Sequence, residues 1–232
     1  MIWNLSFYMK KGLLSLHLIL GSFISPAIAE EYNNFYISVG GGVAFPSDVD
    51  GDTTLGGTVY DAKFETKNPG IFSVGIGKEF NDYRFEFNYS KATVESNKFS
   101  LSSGGTGVVA SITPNYKADL NNFMLYGYKD FPNESRLTPY GGIGLGTSTI
   151  SGKEQTITTG GTNYTLSGIN TSVFTFGLKV GASYETAENT SIYTEGTFQS
   201  LSSYKQRKEG YVDANFDASS LFTITAGLKF DF

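Results

Sequence analysis

Apolar and polar residues alternate without a break along residues 222–232. Apolar side chains stand at the even positions from Phe222 to Phe232, and small or polar side chains such as Thr223 and Lys229 stand at the odd positions. Because successive side chains of a β-strand point to opposite faces, this pattern predicts a strand with one apolar and one polar face.

Seven further segments alternate in the same way. Along the third of them, the outer face reads Tyr83, Phe85, Phe87 and Tyr89. This order is typical of a membrane strand, since tyrosine favours the headgroup level and phenylalanine the hydrocarbon. The eight predicted strands are 35–43, 71–80, 83–93, 116–129, 137–148, 173–184, 191–201 and 221–232. To the outer face of the fourth strand we assign Leu120, Asn122, Met124, Tyr126 and Tyr128, of which Asn122 fits poorly.

Short and long connections alternate between these strands. Transmembrane barrels combine short periplasmic turns with long extracellular loops, and lipid excludes open sheet edges. We therefore predict an all-β, eight-stranded antiparallel up-and-down transmembrane β-barrel with both termini in the periplasm and a lumen filled by side chains. The predicted turns are 81–82, 130–136 and 185–190, and the predicted polar loops are 44–70, 94–115, 149–172 and 202–220.

The start of the chain reads as an export signal. Lys10 and Lys11 precede an apolar run at 12–24, which is too short to span a membrane as a helix, and Ala27 and Ala29 frame a small-residue cleavage site. We expect residues 1–29 to be a cleaved signal peptide and residues 30–232 to form the outer-membrane barrel domain, with Met1 or Met9 as the true start.

The amino-acid composition limits the classes of function that we expect for this chain. The chain has no cysteine and a formal net charge of −5, so we expect neither a disulfide scaffold nor nucleic-acid binding. Its one histidine, His17, lies in the expected signal peptide, and the mature barrel would lack an imidazole base. We expect no enzyme, no catalytic residue, no cofactor and no metal site.

Two motifs resemble ligand-binding loops. Residues 48–52 resemble the start of a calcium loop, but Thr53 and Val59 stand where that loop needs Gly and Glu, so an acidic surface loop is preferred over weak calcium binding. The glycine-rich run 141–146 lacks the following helix of a nucleotide site and fits crowded inward positions instead.

Strand register places charged residues on the inward face. Since the apolar face is committed to lipid, these charges have to be paired, and we assign them a structural role over an ion or proton pathway. The predicted lumen network is Glu79, Arg84, Glu86, Lys179 and Glu195. The predicted cross-strand neighbours are Glu79 with Arg84, Gly77 with Glu86, Lys179 with Glu195, Gly181 with Tyr193 and Gly127 with Tyr140, the tyrosines lying over the glycines.

The segments 35–40, 77–86, 138–144 and 227–232 resemble the OmpA-like and porin-family small outer-membrane β-barrel proteins. The resemblance implies that Leu228, Phe230 and Phe232 form an insertion signal for the barrel-assembly machinery. It does not extend to the periplasmic peptidoglycan-binding domain of full-length OmpA-type proteins. The chain also resembles the surface-antigen family of intracellular bacteria, and no motif decides between the two.

We therefore expect a monomer that contacts outer-membrane lipid and lipopolysaccharide and presents four polar loops at the surface of a Gram-negative cell. An extracellular ligand of unknown identity is compatible with such a role. A narrow porin for ions or small solutes is the alternative, and a soluble lipocalin-like binder is a third class, disfavoured by the outward Phe and Tyr belts.

Overall fold

The computed structural model describes residues 34–55, 58–103, 106–159, 162–166, 168–206 and 214–232. The predicted signal peptide, 1–29, lies outside the described residues. Within the described part of the chain, no helix has the length and apolar character needed to cross a membrane.

Fourteen strands lie in the described ranges. They are β1 (Phe35–Pro46), β2 (Val49–Leu55), β3 (Thr58–Thr66), β4 (Gly70–Phe80), β5 (Tyr83–Ser103), β6 (Thr106–Asp130), β7 (Leu137–Gly152), β8 (Gln155–Thr159), β9 (Thr162–Leu166), β10 (Ile169–Ala187), β11 (Thr190–Leu201), β12 (Tyr204–Gln206), β13 (Ala214–Phe216) and β14 (Ser219–Asp231).

Eight of these strands close into one antiparallel barrel. The ring runs β1, β4, β5, β6, β7, β10, β11 and β14, and β1 pairs with both β4 and β14. Val39 on β1 faces Val74 on one side and Leu228 on the other, so the first and last strands share a complete ladder. The predicted fold class and all eight predicted strands are confirmed.

An apolar belt surrounds the barrel. The outward side chains of the eight strands are exposed and almost all aliphatic or aromatic, with Ile143 64% and Val180 69% accessible. Lys78 lies over the rings of Phe35 and Phe80 at the short-turn end, which lets its apolar stem cover the belt while its ammonium reaches polar surroundings. The predicted outer faces are confirmed on seven strands.

The predicted outer face of β6 was wrong. Leu120, Asn122, Met124, Tyr126 and Tyr128 are all buried in the lumen, whereas Phe123 and Leu125 face outward. Both faces of this strand carry large apolar residues, so alternation alone does not decide between them. The tyrosine hydroxyls and the Asn122 amide find hydrogen-bond partners only inside, because lipid offers none.

The long connections are largely β-structure, which corrects their assignment as polar loops. β3 continues the barrel sheet from β5, β2 pairs with β3, and β13 joins β2 to β12. β5 and β6 remain paired past the barrel to Ser103 and Thr106, and β8 and β9 form a separate hairpin. We call β2, β3, β8, β9, β12, β13 and residues 94–118 of β5 and β6 the extension.

The acidic segment 48–52 lies mostly on β2 and not in a loop. Asp48 pairs with Lys63 at 2.9 Å, and this hydrogen bond lowers the pKa of the Asp48 carboxyl. Asp52 accepts a hydrogen bond from the Asn215 amide at 2.8 Å. Both carboxylates therefore connect strands of the extension to one another.

Because the belt faces lipid, the loss of stability caused by an introduced charge should depend on where along the barrel the charge is placed. Replacing Ile143 by Lys is expected to destabilise the barrel in a lipid bilayer by about 2–4 kcal/mol, because the ammonium would lie in hydrocarbon. Urea unfolding in phosphatidylcholine vesicles measures this difference. The matched control is Val59→Lys, since Val59 is equally apolar and 59% exposed but lies on the extension. Equal losses at the two positions would contradict a lipid-facing belt.

Candidate functional site

The barrel lumen is the candidate site, and its charged residues lie towards the short-turn end. All five predicted network residues point inward or to the rim of the lumen, with Arg84, Glu86, Lys179 and Glu195 buried. The Lys179 ammonium is 2.9 Å from a Glu195 oxygen and 3.9 Å from a Glu86 oxygen. One ammonium is therefore shared by two carboxylates and balances only one of their two negative charges, so each carboxylate depends on further hydrogen-bond donors.

Hydroxyl and amide groups supply those donors. Glu86 accepts hydrogen bonds from Ser38, Asn88 and Tyr128, each at 3.0 Å. Glu195 accepts from the Tyr140 and Thr197 hydroxyls at 3.2 Å. Buried carboxylates are tolerated when an ion pair and hydrogen bonds replace their hydration, and both Glu86 and Glu195 have an ion-pair contact with Lys179 and neutral hydrogen-bond donors.

Two partners of the network were missed at the sequence level. Glu79 and Arg84 are cross-strand neighbours as predicted, but Arg84 forms its ion pair with Asp130 at 2.8 Å and Glu79 forms its own with Lys229 at 2.6 Å. The Arg84 guanidinium also stacks over the Tyr128 and Tyr140 rings. Asp130 was not included in the predicted network because it was assigned to the turn 130–136. Lys229 was not included because partners were sought only between the two strands of one hairpin.

Two predicted registers are also corrected. Gly181 faces Glu195, so Lys179 and Glu195 meet diagonally and not directly, because β10 and β11 join through the tight turn 188–189 with a bulge before it. Gly127 faces Ile143 and not Tyr140. In the connection 131–136, the Asn133 side chain accepts from the Ser135 backbone and donates to Leu137, a local turn that displaces the centre of the hairpin.

Tyrosines pack over glycines throughout the lumen, although not in the two pairs predicted. Tyr36 covers Gly77, Tyr126 covers Gly144 and Gly177, Tyr128 covers Gly142, Tyr140 covers Gly181, and Tyr193 covers Gly40 and Gly227. A Cβ atom at these glycines would collide with the rings. The alternating glycines of β7 are thus crowded inward positions, as predicted for the run 141–146: Gly142 and Gly144 make room for phenol rings, and Gly146 makes room for Met124.

A neutral polar layer lies next along the barrel axis. Asn122 donates to Ser90 at 3.1 Å and Gln199 at 3.3 Å, and accepts from Ser148 at 2.7 Å. Thr175 shares a 2.6 Å hydrogen bond with Ser148. Five strands are joined through these side chains, and each of the five residues is buried. This layer fills the middle of the lumen without any charge.

An apolar layer closes the lumen at the end that bears the extension. Each of the eight barrel strands contributes one inward hydrophobic residue to it, and Tyr204 packs on it from β12. The layer consists of Ala44, Ile71, Ala92, Leu120, Ile150, Val173, Leu201 and Leu221. Most of these residues lie at the ends of the predicted strands or just beyond them, where the inward face changes from polar to apolar, and Leu120 was assigned to the outer face, so the layer was missed.

Aromatic rings continue inward packing into the extension. Tyr204 stacks on Phe216 at 4.7 Å, and Phe64 lies 6.2 Å from both Phe216 and Tyr116. These rings belong to β3, β6, β12 and β13, so they fasten separate hairpins together. The extension therefore has an apolar core of its own.

A small cavity remains in the charged part of the lumen. Its volume is about 20 Å³, enough for a water molecule or two, since each needs about 10–15 Å³. The lining includes Tyr36, Arg84, Glu86, Lys179 and Lys229. A space of this size does not form an open pore. Among the described residues, no group of acidic or histidine side chains is arranged to hold a metal ion.

The three residues of the proposed insertion signal lie on one face of the last strand. Leu228 and Phe230 point outward beside Val39 and Ile37 of β1, and Phe232 is exposed just beyond β14. The Phe232 backbone N–H donates to the Phe35 carbonyl at 2.9 Å. Their role in insertion stays a prediction.

The shared ammonium yields a stability prediction. Lys179→Met is expected to destabilise the barrel by about 3–5 kcal/mol, because it leaves Glu86 and Glu195 buried without their cation. Urea unfolding in phosphatidylcholine vesicles at neutral pH gives the measurement. The control, Lys63→Met, breaks an exposed ion pair with Asp48 and should cost less than about 1 kcal/mol. A Lys179→Met barrel as stable as the control would contradict the network.

Solved structures share this architecture. Neisserial surface protein A aligns at a TM-score of 0.52 and 16% identity over 88% of this chain and all of its own. The outer membrane protease OmpT from Escherichia coli aligns at 0.54 and 13% identity over 89% of this chain and 99% of its own. The outer membrane protein OprG from Pseudomonas aeruginosa aligns at 0.54 and 16% identity over 85% and 95% of the respective chains. At these identities the likeness shows the fold alone.

No curated protein sequence is significantly similar to this chain. The family model of the outer membrane protein beta-barrel domain matches residues 15–230, which include the whole barrel ring except the last residue of β14. That match agrees with the closed ring, the exposed apolar belt and the polar lumen. The chain belongs to the outer membrane protein beta-barrel domain family.

Proposed function

We propose that this barrel is a non-conducting, non-enzymatic scaffold that presents the extension at the cell surface, with both ends of the barrel domain on the periplasmic side. The observation that carries the proposal is the apolar layer, to which all eight barrel strands contribute. Below that layer, ion pairs and tyrosine rings occupy the lumen. A surface or envelope role therefore falls to the extension and not to the interior.

A hydrated ion meets two obstacles inside this barrel. An ion that crossed the lumen would have to shed water against Leu120, Leu201 and Leu221 and then displace the buried ion pairs beneath them. Hydrophobic constrictions oppose conduction because water leaves them, and an unsolvated charge in apolar surroundings is costly. The filled lumen supports a closed barrel over the narrow-porin alternative.

The extension is suited to present a surface of fixed shape. Its hairpins pair with one another across β2, β3, β12 and β13, and their rings pack together inside. Pre-organised surfaces bind partners with a smaller entropic cost than loops that must become ordered. An adhesion-type contact with a host or neighbouring cell is the function that this arrangement supports best.

Planar-bilayer recordings test the closed lumen. The unaltered protein is expected to give no steady open-channel steps. A variant with Leu120→Asn and Leu201→Asn thins the apolar layer and should raise the frequency of brief openings, whereas the outward variant Leu125→Asn should not. Steady single-channel steps from the unaltered protein would overturn the proposal and favour the narrow porin.

Labelling on intact cells tests the orientation. Because the chain has no cysteine, single cysteines report without background. Asp217→Cys, directly after β13 and bonded through its backbone to Asp50 of the extension, is expected to react with a membrane-impermeant maleimide, and Glu134→Cys in the short connection 131–136 should react only after lysis. Both side chains are exposed on the surface of the protein, so a difference in labelling reports on which side of the membrane each residue lies. The reverse pattern would contradict the proposed topology.

A further inference from the structure

A set of paired charges covers the outward face of β3, β5 and β6 beyond the apolar belt. Lys91 pairs with Asp119 at 3.1 Å, and Lys98 pairs with Glu65 at 3.1 Å. Glu95 lies between Lys117 at 2.5 Å and Lys67 at 3.8 Å. We call this set the lysine ladder: Lys67, Lys91, Lys98 and Lys117 with Glu65, Glu95 and Asp119.

The ladder begins where the belt ends. Lys91 lies opposite the exposed Phe72, and it comes two residues after Tyr89, whose ring packs 5.1 Å from that of Phe123. The Tyr89 hydroxyl donates to the Asn121 side chain at 2.9 Å. An aromatic ring with its hydroxyl turned to polar partners marks the headgroup level of a membrane. The first lysine of the ladder is therefore at that level.

The ladder occupies only one side of the barrel. Moving around the ring from Asn121, the next outward neighbours are Thr149 and Ser172, which hydrogen bond to each other at 3.1 Å. Further on, Ser200 faces Ser220. These positions offer hydroxyls and no charge. An outward surface that only had to be hydrated would not need its lysines concentrated on one side of the barrel.

Charge is also sorted along the strand axis. The lysines of the ladder are close to the belt, whereas three carboxylates and one lysine lie further along the β2–β3 hairpin, where Asp50 faces Lys63 and Asp52 faces Asp61. Facing carboxylates repel each other and carry a cost in stability. In a chain with a formal net charge of −5, the band nearest the lipid is the one that has four lysines against three carboxylates.

We propose that the lysine ladder binds the phosphate groups of an anionic lipid in the external leaflet. The side chains of the four lysines are between 45% and 61% exposed, so each ammonium has free donors beyond its carboxylate partner. The carboxylates hold the lysines extended along the sheet and spaced from one another. Phosphates at headgroup level can then bridge them. This inference rests on the proposed orientation, which places the extension outside the cell.

The test uses the full barrel in phosphatidylcholine nanodiscs, titrated with diphosphorylated lipid A and followed by native mass spectrometry. Lys91→Gln with Lys117→Gln is expected to weaken lipid A binding about 30-fold, since two lysines near the headgroups contribute about 1 kcal/mol each and tenfold equals 1.4 kcal/mol. The matched control is Lys129→Gln with Lys205→Gln. It removes the same charge from an ion pair at the short-turn end and from an exposed position on β12, both away from the ladder, and should change binding less than twofold.

Three outcomes would overturn the inference: equal loss in both double variants, no loss in either, or equal affinity for lipid A stripped of its phosphates. Binding of soluble inorganic polyphosphate as tightly as lipid A would also overturn it, because the ladder would then be a site for dissolved anions and not for a lipid. The cysteine-labelling experiment tests the proposed orientation independently of lipid A binding. A correct labelling pattern without lipid A binding removes this inference alone, whereas a reversed pattern removes the proposed orientation.

Discussion

Backbone hydrogen bonding in lipid is the constraint on which the rest of this structure depends. Hydrocarbon offers no partner for an N–H or C=O group, so the sheet has to close, and β1 therefore meets both β4 and β14. A barrel closed by eight strands has a lumen just wide enough to be filled by the inward side chains. Since the apolar face is turned to lipid, the interior has to be assembled from the polar face.

That inversion explains why charged residues form a core here. In a water-soluble protein, a hydrophobic cluster of similar volume would often serve as well as the ion pairs of Arg84 and Lys179. Inside this barrel the alternating pattern reserves those positions for polar residues, and glycines admit the tyrosine rings that fill the remaining space. The apolar layer at one end shows that hydrophobic packing returns where a strand leaves the membrane-spanning stretch.

Most of the barrel could be predicted from its sequence, because alternation and connection length report directly on lipid. The strands, the closure, and the inward placement of Glu86 and Glu195 follow from that physics. β6 was assigned to the wrong face because Tyr126 and Phe123 are both large and apolar, and only the hydroxyl distinguishes them. Contacts such as that of Lys179 with Glu86 across the lumen, or of Arg84 with Asp130 on the neighbouring strand, depend on the exact turn geometry, which a side-chain pattern does not encode. The extension was mistaken for loops because Ser, Thr and Asp suit exposed strands and coil alike.

The Glu86 carboxylate has a consequence for how the barrel assembles. Its partners Ser38, Tyr128 and Lys179 come from β1, β6 and β10, and Lys179 carries the connection on to Glu195 of β11. A partly inserted sheet that lacks any of these strands would hold this carboxylate without its full set of donors. Partial barrels are therefore penalised at their centre as well as at their open edges. The lumen therefore favours cooperative assembly, because Glu86 has its full set of partners only when β1, β6 and β10 are all in place.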